Sequence, residues 1–318
     1  MRLSLLFPLW LVAACGGGSS NLVDATGGNG DGARVDASTI DAPIAAGDPV
    51  GDGPATVTTQ TASIPGKTAG RTLPATVFVP SSAGPRALVV VSPGFQMARA
   101  QYTSYAHHLA TWGFVVVLTD YADTSFSADH TKLAQDVPAV IDWALAQTAL
   151  AIDATKIATS GHSLGGKISI FAATLDPRIK AVVAWDPVDS NNPSVTPEKM
   201  SSLGAAIAVV GETTDGSGGL MPCAPTADNF AAFYAASPSP ALAMTIVGAD
   251  HMDWVDDGSC ALCAFCTAGT APADRARAAS RRLDVAWLRR QLFADTMMDP
   301  WLDAPPEIAA GAATVQRR

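Results

Sequence analysis

"TSGHSLGGKIS" runs from Thr159 to Ser169, with Ser163 between His162 and Leu164, Gly161 two residues before it and Gly165 two after. The apolar Ile157 and Ala158 precede the stretch, and a helix is expected behind it, from Lys167 to Ala173. A strand that turns sharply into a helix needs small residues on both sides of the turn and exposes the side chain at its tip. The helix N-terminus also supplies unpaired N–H groups and partial positive charge, which favour an oxyanion forming close by. The spacing therefore predicts Ser163 as a nucleophile rather than a residue that fills a turn.

The segments around it fit that frame. Short, continuous apolar runs occur at Ala87–Val91, Phe114–Leu118, Lys156–Thr159, Ala181–Trp185, Ala205–Val210 and Ala241–Val247. They lack in/out alternation, as strands covered on both faces do. "ATVTTQTASIP" and "TLPATVFVP" alternate β-branched residues and read as paired strands. Helices are expected at Ala100–Trp112, His130–Gln147, Leu164–Leu175, Thr226–Ala235 and Pro272–Leu292. Strands alternating with helices predict an α/β class: a mostly parallel central sheet flanked by helices, with right-handed crossovers.

The ends read differently. "MRLSLLFPLWLVAAC" carries one arginine and an apolar run from Leu3 to Ala14, too short to span a bilayer, so residues 1–15 read as a signal peptide. Its end, Val12-Ala13-Ala14-Cys15, resembles a lipoprotein signal in which Cys15 becomes the lipidated first residue; an ordinary secretory signal is the alternative. Residues 16–54, rich in Gly, Asp, Ala, Ser and Thr, read as a disordered linker. The folded domain is expected over 55–295, and the tail 296–318 shows no period. The 318 residues carry a formal net charge of -9 and no basic stripe, which argues against nucleic acid as a partner. Membrane contact is expected through the lipid anchor, no cofactor or metal is expected, and the domain is expected to be a monomer. With Cys15 set aside, Cys223, Cys260, Cys263 and Cys266 suggest two disulfides in an exported domain; a zinc site around "CALCAFC" lacks a paired CxxC.

A serine hydroxyl needs a base. His107 and His108 fall in an expected helix and read as surface residues, His130 lies near a helix start, and His162 points away from an acceptor shared with Ser163. His251 follows the last expected strand, in "VGADHMDW", where the chain order Ser…Asp…His puts the base. The acid has four candidates: Asp186 and Asp189 after "AVVAW", and Glu212 and Asp215 after "AAIAVVG".

Four blocks in order resemble the chlorophyllases of the α/β-hydrolase superfamily: "GHSLGGK" at 161–167, "DPVD" at 186–189, "PCAP" at 222–225 and "DHMDWVDD" at 250–257. The resemblance covers roughly residues 71–295 and implies a Ser163–Asp186–His251 triad, with Asp215 as the alternative acid and Asp189 ordering the loop. Leu164 replaces the arginine typical of that family after the nucleophile, and "SPGFQ" at 92–96 with "HLATWGFVVV" is closer to bacterial polyester hydrolases and cutinases. The same comparison implies an oxyanion hole made by the N–H groups of Leu164 and Phe95.

The expected activity is carboxylic ester hydrolysis through an acyl-enzyme on small-molecule or polymeric esters. An acyltransferase on the same triad and a non-catalytic surface lipoprotein are the alternatives. Phe95, Met97, Tyr102, Trp185, Leu220, Met221, Met252 and Trp254 are expected pocket residues, suiting apolar, uncharged esters. The expected location is the cell envelope or cell surface as a lipoprotein, or otherwise secretion.

Overall fold

The six apolar runs become the parallel core of one sheet. In the computed structural model, which describes residues 47–217, 222–258 and 265–318, these strands are β3 (Arg86–Ser92), β4 (Val115–Thr119), β5 (Ile152–His162), β6 (Ile179–Trp185), β7 (Ala206–Glu212) and β8 (Ala241–Ile246). They pair in the order β4-β3-β5-β6-β7-β8. The hairpin β1 (Val57–Pro65) and β2 (Thr72–Pro80) adds antiparallel to β4 at one edge.

Both faces of the parallel strands are covered, which is why their sequences do not alternate. Leu88, Val90 and Val182 face α2 (His130–Ala146), α3 (Leu164–Leu175) and α4 (Phe230–Ala236). Val89, Val91 and Val183 face α1 (Thr103–Thr111) and α5 (Ala273–Phe293). Each fully buried Val or Leu contributes about 1.5–3 kcal/mol. Two indole N–H groups lock the second layer: Trp185 donates to Asp284 over 2.9 Å and Trp254 to Ser280 over 2.8 Å. The result is an α/β-hydrolase fold.

The folded region extends beyond the expected limits at both ends. Asp48, inside the expected linker 16–54, is buried and pairs with the buried Arg282 at 2.8 and 3.0 Å; Glu307 neutralises the other side of the same guanidinium. The Gly51 carbonyl accepts from the Trp112 indole at 2.9 Å and lies 2.9 Å from His108 Nε2. His108 is thus buried, against the surface reading, and burial together with the nearby Arg281 pushes its pKa down to about 4. His107 is exposed. Composition marks residues 47–54 as linker because their contacts come from single polar groups rather than apolar side chains.

The tail without a period forms α6 (Asp299–Asp303), α7 (Pro306–Ala309) and β9 (Ala313–Arg317), which pairs antiparallel with β8 and completes the other sheet edge. Three of the five residues of β9 are exposed in a short edge strand, too brief a pattern to register as a period. Among the described residues no helix is long and apolar enough to cross a membrane. Cys15, Cys260 and Cys263 lie outside the described residues.

Candidate active site

β5 ends at His162 and α3 begins at Leu164, leaving Ser163 alone at the turn with φ 55° and ψ -121°. A left-handed φ costs a non-glycine residue on the order of 1–3 kcal/mol and persists only where the surroundings enforce it. Here the Ser163 N–H donates to the Trp185 carbonyl at 2.9 Å, and its own carbonyl accepts from Lys167 and Val188. The flanking glycines are required by contact: a Cβ on Gly161 would stand 2.5 Å from the Ser92 carbonyl oxygen, and one on Gly165 would stand 2.1 Å from it. Both have ordinary backbone angles, so close approach of β3, β5 and α3 explains them rather than unusual φ.

His251 lies in the loop after β8, its Nε2 2.9 Å from Ser163 Oγ. Its Nδ1 lies 2.6 Å from Asp186 Oδ2. Asp186 is fully buried immediately after β6, with φ 38° and its N–H donating to Val210. Burial alone would lower the His251 pKa, but the hydrogen bond and charge of Asp186 outweigh it, and the imidazole is held above its ordinary value. Of the four acid candidates, Asp186 meets the imidazole. Asp215 instead accepts the backbone N–H of His251 at 2.9 Å and that of Thr267 at 2.7 Å. Glu212 accepts from the Asp215 and Thr214 N–H groups, and burial followed by the nearby Asp186 charge raises its pKa to about 7. Asp189 orders the following loop by accepting from Val195 and Thr196. In the "DHMDW" block, Asp250 and Asp253 close a capping box around the His251 turn.

His162, to which no role was assigned from sequence, completes a directed chain with Tyr102. The Gly94 N–H can only donate, and it does so to Tyr102 Oη at 3.1 Å. The His251 carbonyl can only accept, and His162 Nε2 lies 2.8 Å from it. The remaining link, 2.9 Å between Tyr102 Oη and His162 Nδ1, must therefore run from hydroxyl to ring nitrogen. Burial and the neighbouring His251 hold His162 well below its ordinary pKa, so the ring is neutral and this single tautomer satisfies every group. The chain joins the loop of Phe95, the Ser163 turn and the His251 loop. Tyr121 adds a second anchor by donating to the Pro93 carbonyl at 2.9 Å. A tyrosine in an apolar helix turn carries no sequence mark of where its hydroxyl points.

Tyr102→Phe removes the middle of this chain and strands two buried polar groups. We expect a stability loss of about 1–3 kcal/mol on denaturant unfolding and, in any turnover assay of the purified protein, a kcat about tenfold lower with KM nearly unchanged.

Ser163 opens into a cavity of about 470 Å³. Phe95, Met97 and Met252 line it as expected, whereas Tyr102, Trp185 and Trp254 are fully buried core residues. The rings of Tyr105 and Trp185 stack at 4.2 Å, and the Trp185 carbonyl accepts the Ser163 N–H. Leu220 and Met221 lie outside the described residues. Val188 and the loop Ser190–Asn192 line the cavity within the stretch 185–193 expected to supply wall, and Phe126 and His130, which were not expected there, complete much of the rest. Leu164, at the first position of α3, has an N–H without an acceptor in its own helix, and both it and Phe95 border the cavity. Cys223 of the "PCAP" block is joined to Cys266, with 5.3 Å between their Cα atoms, and both line the cavity. This pairing removes Cys266 from any thiolate metal site around "CALCAFC".

Cutinase 1 of Thermobifida cellulosilytica is 26% identical over 166 residues, covering 52% of this chain and 59% of the relative. A bis(hydroxyethyl) terephthalate hydrolase of Streptomyces coelicolor is 27% identical over 170 residues, 52% and 50% of the two chains. Cutinase est2 of Thermobifida alba is 28% identical over 116 residues, 35% and 38%. The chain thus spans between a third and three-fifths of the length of these relatives. The chlorophyllase family model matches residues 50–306, nearly the whole described region. On that match, which takes in the Ser163 turn, Asp186, the Cys223 block and the His251 loop, the chain belongs to the chlorophyllase family.

Proposed function

We propose that the protein is a serine carboxylic ester hydrolase acting on neutral, apolar esters. The observation that carries this reading is the continuous contact Ser163–His251–Asp186 at the mouth of a largely apolar cavity. In the reaction, His251 Nε2 takes the Ser163 proton as Oγ attacks the ester carbonyl. The N–H groups of Leu164 and Phe95 receive the oxyanion. His251 returns the proton to the departing alcohol, leaving an acyl-enzyme. Water, deprotonated by the same nitrogen, then releases the acid and restores Ser163. Asp186 keeps the proton of the resting imidazole on Nδ1 and stabilises the imidazolium that forms.

Phe95, Met97, Phe126, Val188 and Met252 suit an apolar acyl or alcohol group, each Å² buried contributing about 25 cal/mol. Membership of the chlorophyllase family supports long-chain alcohol esters of the chlorophyll kind, and the cutinase relatives support polyesters as the second reading. The purified protein should hydrolyse p-nitrophenyl esters with kcat/KM rising from acetate to medium chain length, and should disfavour an ester bearing a carboxylate. Chlorophyll a and an aliphatic polyester film, assayed in parallel, separate the two readings. Faster turnover of the charged ester would contradict the apolar pocket. Transfer to an added alcohol in preference to water would assign an acyltransferase.

For location, the same reading takes residues 1–15 as a lipoprotein signal and Cys15 as the acylated residue. Cys15→Ser should move the protein from the membrane fraction to the soluble fraction and abolish palmitate labelling. Labelling that survives the substitution would contradict the anchor.

A further inference from the structure

On the wall of the cavity lies a histidine that the proposed reaction does not use. His130, the first residue of α2, is buried, borders the cavity, and is held from behind by Lys167 of the "GHSLGGK" block. Lys167 is completely buried, and its ammonium group has three protons and three acceptors. These are the Ser190 carbonyl, Asp189 Oδ1 at 3.2 Å and His130 Nδ1 at 3.1 Å. An ammonium cannot accept a hydrogen bond, so Nδ1 of His130 must accept and the ring proton must sit on Nε2. Burial and the Lys167 charge push the His130 pKa down to about 4, so the ring stays neutral near pH 7. The Asp129 and Asp189 carboxylates act in the opposite direction and do not restore the ordinary value. Nε2 has no hydrogen-bond partner among the described residues and is not sealed from solvent.

His130 is therefore a neutral, fixed N–H donor in a wall otherwise rich in apolar groups. A purely apolar substrate would cover this donor without pairing it, which carries a desolvation cost. We propose that His130 is a specificity-determining residue that donates from Nε2 to a second carbonyl oxygen of the substrate, so that the site selects esters carrying another carbonyl group. The proposal rests on the ester-hydrolase reading and deepens it: the substrate class becomes diesters, keto-esters or polyester segments. Asn192 fixes the ring's backbone by accepting the His130 N–H at 2.8 Å, so the donor is held from two sides.

The test compares two matched pairs in a pH-stat: diethyl adipate against ethyl octanoate, and hexanediol diacetate against octyl acetate. The first pair puts the second carbonyl on the acyl side and the other on the alcohol side. In His130→Phe, the ratio of kcat/KM for diester over monoester should fall about fivefold in at least one pair, whatever the change in turnover common to both esters. His130→Gln, which keeps a side-chain N–H, should retain most of the wild-type ratio. Unchanged ratios in folded His130→Phe for both pairs would overturn the proposal. Absence of turnover on every ester by the wild-type protein would instead overturn the ester-hydrolase reading. Should His130→Phe fail to fold, nitrogen NMR of Ser163→Ala protein decides. The His130 Nε2–H resonance should shift on adding diethyl adipate and not ethyl octanoate, with Nδ1 unprotonated. A protonated Nδ1, or no shift with both diesters, would overturn it.

Discussion

Asp186→Asn is expected to lower kcat for ester hydrolysis by on the order of 10⁴, the cost of the equivalent change in a serine protease triad. The amide keeps the shape of the carboxyl group but presents the wrong partner to His251 Nδ1 and removes the charge that stabilises the imidazolium. Asp215→Asn should cost only about tenfold, because Asp215 holds the His251 backbone and an amide oxygen still accepts one of its two N–H donors. The pH profile distinguishes the two further. Activity requires neutral His251, whose pKa the Asp186 carboxylate holds above the ordinary imidazole value of about 6.5. The wild-type acid limb should therefore lie above that value, with activity lost as pH falls through it. Removing the Asp186 charge shifts the limb of the residual activity to lower pH, and removing the smaller influence of Asp215 shifts it less. A greater loss in Asp215→Asn than in Asp186→Asn would reverse these roles.

Ser163→Ala and His251→Ala should each remove on the order of 10⁶ in kcat, and the double variant should lose little more, because the two groups act as one unit. Their stabilities should differ. Ser163 is partly exposed at the turn, and its loss should change unfolding free energy by less than about 0.5 kcal/mol. His251 is the one described partner of the Asp186 carboxylate side chain, so His251→Ala leaves a buried carboxylate unpaired and should cost about 1–3 kcal/mol. Additive losses in the double variant would mean that serine and histidine serve separate steps.

Much of this site was legible in the sequence where one residue type has one use. The Gly-x-Ser-x-Gly spacing marks a crowded turn, and the Ser92 carbonyl pressed against both glycines is the physical reason. The covered strands were legible because burial on both faces leaves an unbroken apolar run. The acid was different: Asp186, Asp189, Glu212 and Asp215 all follow apolar strands, and spacing alone does not choose among them. Only the positive φ of Asp186 directly after β6 turns its carboxyl toward His251 while Asp215 reaches the backbone. The aromatic residues were misread for a similar reason. Tyr102, Trp185 and Trp254 look like pocket walls in a linear stretch, but their polar atoms bond backwards into the site's support and to α5. Asp48 and Arg282, far apart in sequence, show the same limit, since a buried pair has no local pattern.

The most direct measurement is covalent trapping of the nucleophile. The protein is treated with an alkyl fluorophosphonate, digested, and mapped by mass spectrometry while esterase activity is followed in the same sample. One adduct per chain should appear on the peptide carrying Ser163, in step with loss of activity. It should be absent in Ser163→Ala and form at least a hundredfold more slowly in His251→Ala, the scale of a lost general base. Full inactivation with the label on another residue, or undiminished labelling in His251→Ala, would contradict an acyl-enzyme formed by Ser163 and His251.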